Sequence, residues 1–481
     1  MRQKKSAFDY FIVVVTILFF TQSLRAQVSI GSLDNPKEFS ILELISNKSG
    51  LRLPQLTREN RDNLALGSLT DPESIKAAEG LVIYNTSIRC LEFWGGKTKG
   101  WISFCSSVSV LGSKENPYLI LTPEDLDAVR EKPNAHYRVG KNIVLAPYLA
   151  PGGKGYEKWG ADGWLPLGNA TTPFKGSIDG DNFTISGLLI HRVAATFGSV
   201  GLFGTVDEGT VKNINLVIDK INGGLNTHVG GVAGRVYGYE ALMSNCKVTG
   251  GAITGGNSVG GVVGRVDGGS KITGCFAEVD VTGANGIGGV VGQISSDTSG
   301  GDTGSMSNCY YLTGNVIGTT GVGGVVGRVQ YSGVVSNCYA TGTVSRGAPY
   351  SNNNANYLGG IAGRIDNYGR IINCVALNSK VSTTRGTNIG RVVGNTVPSC
   401  TLSNNWAQNN MTLEYYDGTS WQSLPQGNNA GGIDGATITS TEFNSVVWWQ
   451  NSSKWNTTPP NSAWDFNIWK WDVSISLPVL K

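Results

Sequence analysis

Four arginines recur at one position of a glycine-rich phrase that this chain repeats. The phrase is VGGVVGRV at 259–266 and again, letter for letter, at 322–329. Stacked cations repel one another unless counter-charges or water screen them. The column therefore predicts either a solvated stripe that blocks edge-to-edge association, or a binding track for an acidic polymer such as a sulfated or sialylated glycan. Its members are Arg235, Arg265, Arg328 and Arg364, with Gln293 interrupting and Asn395 ending the column.

Two long inserts, at 295–304 and 345–357, interrupt the repeats near this column. Inserts in repeat proteins are loops, and such loops often carry binding. Tyr350 and Tyr357 in the second insert are therefore predicted to stack on a sugar.

The sequence predicts no catalytic site, no metal site and no cofactor. The glycine phrase lacks the Gly-Lys-Ser/Thr end of a phosphate loop, and it repeats. Glu278 and Asp280 form the only close acidic pair inside the repeats, and a solvated strand edge explains them better than glycosidase carboxylates do. The run 179–182, Asp-Gly-Asp-Asn, is interpreted as a turn rather than a calcium loop, because no bidentate Glu follows at the required spacing.

The elements that position these residues follow from the period of the repeat. Successive phrases lie 28–36 residues apart, and the second half of each unit also recurs, as MSNCKVTG, ITGCFAEV or VSNCYATG. No unit of this size buries its own apolar face, whereas stacked units do. The sequence predicts an all-β fold, a parallel β-helix or β-solenoid of about seven coils, roughly 34 Å long at one strand spacing per coil.

Alternation along the strand assigns the faces of the phrase. Val262, Gly264 and Val266 are predicted to point one way, and Val263 and Arg265 the other way, outwards. The glycines are predicted to let the chain turn tightly at the corners of the coil with positive φ.

Cysteine is used in two ways. Cys90 and Cys105 bracket a predicted hairpin and are predicted to form a disulfide across it. Another set recurs in the repeats, where the alternatives are a metal or disulfide site and small thiols that fill a narrow core. We favour the thiols, because parallel in-register side chains suit disulfide geometry poorly. This column comprises Ile214, Cys246, Cys275, Cys309, Cys338, Cys374 and Asn405, and the residue before it is nearly always Asn, which predicts a corner with a ladder of amides.

The chain divides into six predicted segments. A basic start, the apolar run FIVVVTILFF and Ala26 predict a signal peptide. Thr122, Pro123 and two acidic residues predict one helix over 123–131. Six tryptophans of the tail are predicted to close an end of the solenoid rather than to bind sugars, namely Trp448, Trp449, Trp455, Trp464, Trp469 and Trp471. The segments are a signal peptide (1–26), a small module of strand, helix and hairpin (27–105), a linker (106–115), an N-terminal cap (116–190), the repeats (191–410) and a C-terminal cap (411–481).

Composition limits the classes of partner. The formal net charge of +3 gives no argument for nucleic acid, and no second apolar run is long enough to cross a membrane. We therefore expect an exported protein, either secreted or associated with the cell surface or outer membrane.

The repeats resemble the GLUG motif, with VGLFG at 200–204 as the nearest copy of its Gly-Leu-bulky-Gly core. The segment PYLILTPEDLDAV to VGLFG and the ending WDFNIWKWDVSISLPVL are similar to segments that accompany such repeats. Residues 27–105 resemble a segment at the start of exported proteins of Bacteroides-type Gram-negative bacteria and of fibre-like proteins. The resemblance implies a parallel β-helix on a surface protein, often called an adhesin. The metallopeptidases that also carry these repeats have a His-Glu-x-x-His motif, which this chain lacks.

These patterns predict an exported, non-catalytic surface protein, an adhesin that binds a glycan or a surface protein. The alternatives are a β-helix enzyme that degrades polysaccharide and a structural surface or fibre component.

Overall fold

The computed structural model describes residues 51–104, 111–194, 197–225, 228–296, 302–347, 356–458 and 464–481, and the backbone of 28–30 and 42–44. The predicted signal peptide, Cys105, Tyr350 and most of the predicted linker lie outside the described residues.

The repeats fold into a parallel β-solenoid in which each coil contributes strands to four sheets, here numbered in chain order around the coil. Sheets 1 and 2 each have seven strands, and sheet 3 has ten, so the stack is longer than the seven coils expected. Every pairing within these three sheets is parallel, and sheet 4 is parallel except at its last hairpin. The strands of sheet 1 are Ser199–Val200, His228–Gly230, Asn257–Gly260, Asn285–Gly288, Thr320–Gly323, Leu358–Gly359 and Ile389–Gly390. Those of sheet 2 are Phe203–Asp207, Ala233–Tyr237, Val263–Val266, Val291–Ile294, Val326–Val329, Ala362–Ile365 and Val393–Asn395.

Sheets 3 and 4 complete each coil. Sheet 3 consists of Tyr118–Ile120, His136–Val139, Ser177–Asp179, Thr210–Lys212, Leu242–Ser244, Lys271–Thr273, Ser305–Ser307, Val334–Ser336, Arg370–Ile372 and Thr401–Ser403. Sheet 4 consists of Ile143–Val144, Thr184–His191, Asn215–Asn222, Lys247–Thr254, Phe276–Thr282, Tyr310–Tyr311, Asn315–Gly318, Tyr339–Ala340, Thr343–Arg346, Val375–Ala376, Lys380–Thr383, Trp406–Gln408, Thr412–Tyr416, Trp421–Ser423 and Ala436–Ile438.

The repeated glycines serve close packing rather than turning. Sheets 1 and 2 face each other with glycine on both inner surfaces. A Cβ built on Gly264 would lie 2.5 Å from the backbone nitrogen of Val229, and one on Gly260 would lie 2.1 Å from the backbone oxygen of Val263. None of Gly260, Gly261 and Gly264 has a positive φ, so the predicted left-handed corners are wrong for this phrase. Only glycine permits two backbones to approach so closely.

Close packing also corrects the predicted faces of the phrase. Arg265 points outwards as expected, with 25 % of its side chain exposed. Val263, predicted to share that outer face, is fully buried with Val262 and Val266. The strand begins only at Val263, after the turn that joins sheets 1 and 2, so the alternation cannot be extended back through the turn.

The asparagine column forms the corner between sheets 3 and 4, as predicted. These residues adopt positive φ, and Asn245 donates from Nδ2 to Oδ1 of Asn213 at 3.2 Å. Gly274 interrupts the ladder with a φ of 63°, so the corner keeps its left-handed conformation there. The left-handed asparagines are Asn213, Asn245, Asn308, Asn337, Asn373 and Asn404.

The leading region carries more helix than the single one predicted. Thr122 and Asp125 form a capping box at the start of the helix Pro123–Asp127, which continues as the 3₁₀ helix Ala128–Glu131. Two further helices, Ala146–Leu149 and Lys154–Trp159, and a 3₁₀ helix, Gly160–Asp162, follow. Together they cover the first coils, where Leu126, Val129 and Leu149 join the solenoid core.

The described part of the N-terminal module contains two α-helices where one was predicted. The strands Val28–Ile30 and Leu42–Leu44 pair in parallel. The strands Gln55–Leu56, Val82–Asn85, Cys90–Trp94 and Trp101–Ser103 form one sheet, and the helices are Arg58–Asp62, Leu66–Ser68 (3₁₀) and Pro72–Ala78.

The tryptophan-rich tail covers a side of the stack instead of its end. The last coil is closed by the segment around Ile433, whose carbonyl accepts from Val392 and Val393. The chain then folds back over the outer face of sheet 4, where Phe276, Tyr310 and Tyr339 stack at centroid distances of 4.6 and 5.0 Å. The rings that bury this stack are Trp448, Trp449, Trp455, Trp464 and Trp469, with Trp471 partly buried beside them. The tail elements are Ser440–Phe443, Val446–Gln450, Ser452–Lys454 (3₁₀), Trp469–Asp472 and Leu477–Leu480.

Candidate functional site

The predicted arginines form a ladder on the outer face of sheet 2. Parallel register pairs Arg235 with Arg265, and Arg328 with Arg364. Their side chains are 27 %, 25 %, 37 % and 32 % exposed, in chain order. The ladder is therefore half-buried and ordered, and it differs from the freely solvated stripe that the sequence allowed.

Two aspartates hold the ladder, and each one serves two arginines. Asp267 is fully buried and accepts from Nε of Arg235 at 2.8 Å and from Nε of Arg265 at 2.6 Å. Asp366 repeats this arrangement three coils later. It accepts from Nη2 of Arg328 at 3.2 Å and from Nε of Arg364 at 2.8 Å.

A pair of glutamines separates the two arginine–aspartate groups. Nε2 of Gln293 donates to Oε1 of Gln330 at 2.8 Å, and Oε1 of Gln293 accepts from Ser258 at 3.0 Å. Gln330 occupies the place that Asp267 and Asp366 take in their coils, two residues beyond the ladder position. Where Gln293 interrupts the arginine column, the next coil thus carries Gln330 in place of the aspartate.

The shared carboxylates leave positive charge uncompensated, because two guanidinium groups meet one carboxylate in each group. Burial, and then the charges of Arg265 and Arg235, lower the pKa of His228 to about 3. The lowered pKa keeps the imidazole neutral at physiological pH, mainly because burial disfavours its charged form, with a smaller contribution from the two guanidinium charges.

Tyrosine rings support the outer arginines of the ladder. The guanidinium carbon of Arg235 lies 4.5 Å from the ring centroid of Tyr237, and that of Arg364 lies 4.8 Å from the ring of Tyr357. Tyr357, predicted to stack on a sugar, thus stacks on Arg364 of its own chain. Tyr350, its predicted companion, lies outside the described residues.

Exposed tyrosines on the turn between sheets 2 and 3 were missed by sequence reasoning. Tyr239, Tyr331 and Tyr368 follow the ladder position by three or four residues and are 71 %, 37 % and 66 % exposed. Tyr331 and Tyr368 have φ values of 51° and 67°, where a bulky residue is rare. The repeats vary in length at this turn, so no common spacing identified these residues.

The remaining acidic candidates engage their own chain. Glu278 accepts from Thr313 at 3.0 Å, and Asp280 accepts from the backbone and side chain of Asn315 at 2.8 and 3.0 Å. Asp179 pairs with Lys212 at 2.9 Å and accepts from the backbone N–H of Asp181 within the turn at 2.9 Å. In the described part of the chain, no group of three His, Cys, Asp or Glu side chains could hold a metal ion.

The cysteines of the repeats are buried free thiols, as favoured above. The backbone N–H of Cys246 points at Sγ of Cys275 at 3.4 Å, and that of Cys275 at Sγ of Cys309 at 3.4 Å. Asn405 replaces sulfur at the end of the column, where its Oδ1 accepts from the N–H of Cys374 at 3.0 Å. Cys90 is disulfide-bonded. Since Cys105 lies outside the described residues, the disulfide between Cys90 and Cys105 stays a prediction.

Two family models match this chain. The GLUG motif matches residues 226–254, 255–282, 318–345 and 354–382. A phage tail like trimerisation region matches residues 29–116.

Two curated relatives match part of this chain. A candidate Gly-rich membrane protein of Evansella cellulosilytica is 33% identical over 188 residues, which are 32% of this chain and 20% of that protein. Halomucin of Haloquadratum walsbyi is 35% identical over 177 residues, which are 35% of this chain and 2% of that protein. The chain thus spans a fifth or less of the length of these relatives.

Among solved structures, a candidate immunoglobulin A1 protease from Bacteroides ovatus is 17% identical, with a TM-score of 0.47. The match covers 77% of this chain and 94% of that one.

In the residues that the structure describes, no helix is long and apolar enough to cross a membrane. The chain is an all-β protein that carries GLUG motifs on a parallel β-solenoid.

Proposed function

We propose that this chain is an exported, non-catalytic protein of the cell surface or surroundings, and that it binds acidic glycans along the arginine ladder. The observation that carries the proposal is the sharing of one carboxylate by two arginines, which occurs twice. Beyond their Nε bonds, the Nη groups of Arg235 and Arg364 donate to no described residue. Ordered, half-exposed donors with excess positive charge suit the carboxylate or sulfate groups of a polysaccharide.

The relatives support a place at the cell surface. One is named as a membrane protein, and the other is named halomucin. The predicted signal peptide at 1–26 supplies the route of export. Against the alternative of a polysaccharide-degrading enzyme, both carboxylates of the acidic pair accept hydrogen bonds from residues of the next coil.

The ladder is tested by binding to an array of acidic and neutral glycans at about 50 mM and about 300 mM NaCl. We expect residues 27–481 to bind acidic glycans, with an affinity that falls at least about tenfold at the higher salt because the Debye length shrinks. The double variant Arg265→Ala/Arg328→Ala removes one arginine from each shared aspartate and is expected to lose this binding.

The matched control is Lys271→Ala, which removes an exposed cation from sheet 3 and should leave binding unchanged. Equal binding of acidic and neutral glycans, or full binding by the double variant, would contradict the proposal.

A second role, assembly of several copies, is favoured by the N-terminal module. One face of its four-stranded sheet buries Ile83, Glu92 and Trp94, whereas the opposite face leaves Leu91 and Phe104 38 % and 64 % exposed. Phe93 lies on that same face, 5.1 Å from the ring of Phe104. Exposed contiguous apolar residues mark an interface, and the matching family is described as a trimerisation region. We therefore propose that three copies of this chain associate through this face.

The mass of residues 27–481 in solution, measured by light scattering, is expected to be that of a trimer. Leu91→Glu/Phe104→Glu places charges on the apolar face and should give a monomer, since a buried unpaired carboxylate is costly. Leu64→Glu alters an exposed apolar residue away from the sheet and should remain trimeric. A monomeric wild-type protein, or a trimeric double variant, would refute this role.

A further inference from the structure

Arg346 is a buried cation whose Nη1 has no hydrogen-bond partner among the described residues. It ends the strand Thr343–Arg346 of sheet 4 and is 9 % exposed. The other buried arginines of the described chain differ. Arg61 contacts Glu92 at 2.9 Å, Arg192 contacts Asp162 at 3.2 Å, and Arg391 donates to several carbonyls. A buried charge with no partner is costly, so its presence calls for an explanation.

A second arginine lies beside it on the next coil. The strand of Arg346 pairs with Lys380–Thr383, and Arg385 follows two residues later. Arg385 is exposed, and its guanidinium makes no hydrogen bond or ion pair with the described residues. Burial, and then the charge of Arg385, lower the pKa of Arg346. The two cations therefore face a common region at the corner between sheets 4 and 1.

Among the described residues, no carboxylate forms an ion pair with Arg346 or Arg385. Residues 347–357, which follow Arg346, contain neither Asp nor Glu. Glu414 is paired with Lys380, and Asp417 accepts from Thr419 and Ser420 in its own turn. An anion from outside the chain would supply the counter-charge that these described residues do not.

Other polar groups at the corner are also unsatisfied. Oδ1 of Asn356 is buried and has no partner, while its Nδ2 donates to the carbonyl oxygen of Arg385. Oγ1 of Thr319, at the same corner one coil earlier, is likewise buried without a partner. Both atoms are able to accept from a hydroxyl group.

An open cleft adjoins Arg385. It has a volume of about 470 Å³, and its walls include Arg385, Tyr415, Tyr416 and Asp417, whose carboxylate accepts from Thr419 and Ser420. A cleft of this size accommodates a small ligand, and tyrosine rings suit the apolar face of a sugar.

From these observations we propose that Arg346 and Arg385 form a binding site for the carboxylate or sulfate group of an acidic sugar residue. The anionic group lies between the two guanidinium groups, and the sugar ring rests against Tyr415 or Tyr416. Asn356 and Thr319 supply acceptors for hydroxyl groups. This site is separate from the arginine ladder and does not depend on it.

Calorimetric titration and thermal unfolding of residues 27–481 test the site with four probes. These are glucuronic acid, N-acetylneuraminic acid, inorganic sulfate and the neutral sugar N-acetylglucosamine. At least one acidic sugar is expected to bind more tightly than sulfate and to raise Tm by about 2–4 °C, whereas the neutral sugar does neither.

Two variants identify the residues. Arg346→Met removes the unpaired charge, so we expect the Tm of the free protein to stay constant or rise while binding falls at least tenfold. Arg385→Gln changes an exposed side chain, so we expect an unaltered Tm and a similar loss of binding. Lys271→Gln, which alters an exposed cation of sheet 3 that belongs to neither site, is the matched control and should bind normally.

Three results would overturn this site. A lower Tm for ligand-free Arg346→Met would show that the guanidinium is structural. Sulfate binding as tight as that of every acidic sugar would remove the role of the cleft. The absence of binding by all four probes at millimolar concentration would remove the site altogether. Each of these leaves polymer binding by the ladder unaffected, so the two proposals fail independently.

Discussion

Gly327→Val is expected to destabilise the solenoid by more than about 3 kcal/mol and to prevent folding of the central coils. The new Cβ would lie 2.3 Å from the backbone nitrogen of Ile287 and 2.5 Å from the carbonyl oxygen of Gly292, both in the preceding coil. These are backbone atoms held by parallel pairing on both sides, so no side chain can move aside. Urea unfolding followed by circular dichroism measures the loss.

Gly198→Ala separates this packing effect from backbone strain. Gly198 has a φ of 65°, but a Cβ there would meet nothing within 4 Å. Only the strain of the left-handed conformation remains, about 1–2 kcal/mol. If Gly327→Val costs no more than Gly198→Ala, the explanation of the repeated glycines by close approach of sheets 1 and 2 is wrong.

Trp449→Ala is expected to cost about 3–5 kcal/mol and to release the tail from the side of the stack. Trp449 is fully buried, lies 4.6 Å from the ring of Trp464, and donates from Nε1 to the carbonyl of Phe443 at 2.7 Å. Because the tail forms a hydrophobic cluster separate from the solenoid core, it should be lost as a unit. Limited proteolysis should then cleave after residue 438 and leave the coils intact.

Trp421→Ala is the control for this experiment. Trp421 is 47 % exposed, so its removal should cost less than about 1 kcal/mol and leave the proteolytic pattern unchanged. Loss of the whole fold in Trp449→Ala would instead mean that the solenoid requires its side cover.

The period of the repeat was sufficient to predict the solenoid, the asparagine corners and the buried thiols. These features recur in every coil, so the sequence displays each of them several times. The outward placement of Arg265 also followed from alternation, since Arg265 lies inside a regular strand. The burial of Val263 did not follow from alternation, because Val263 adjoins a turn whose length the pattern does not reveal.

The aspartates that pair with the arginines were missed, although their spacing from the arginines is visible in the sequence. Asp267 and Asp366 each stand two residues after an arginine of the ladder, in the sequences RVD and RID. Each also bonds to the arginine of the preceding coil, a contact that only the register of the stack creates. Alternation alone places Asp267 beside Arg265 on the outer face, whereas the structure buries it completely.

The residue that follows each cysteine of the repeats indicates where the tail lies. That residue points outwards from sheet 4, yet it is aromatic in Phe276, Tyr310 and Tyr339. Apolar side chains on an outer face indicate that another segment covers it. The tryptophans by themselves predict a cap at an open end, because repeat proteins commonly need end caps, whereas together with the column of rings they indicate a cover on the side of the stack.

The buried cysteines give the stack a set of natural reporters of local opening. Cys246, Cys275, Cys309, Cys338 and Cys374 occupy five successive coils, one in each, and each is fully buried. An alkylating reagent modifies such a thiol only after its coil separates from a neighbour. Mass spectrometry of the modified peptides would therefore order the coils by their opening rates in the native protein. Cys400, which is half-buried in the last coil, should be alkylated after the least opening of the stack.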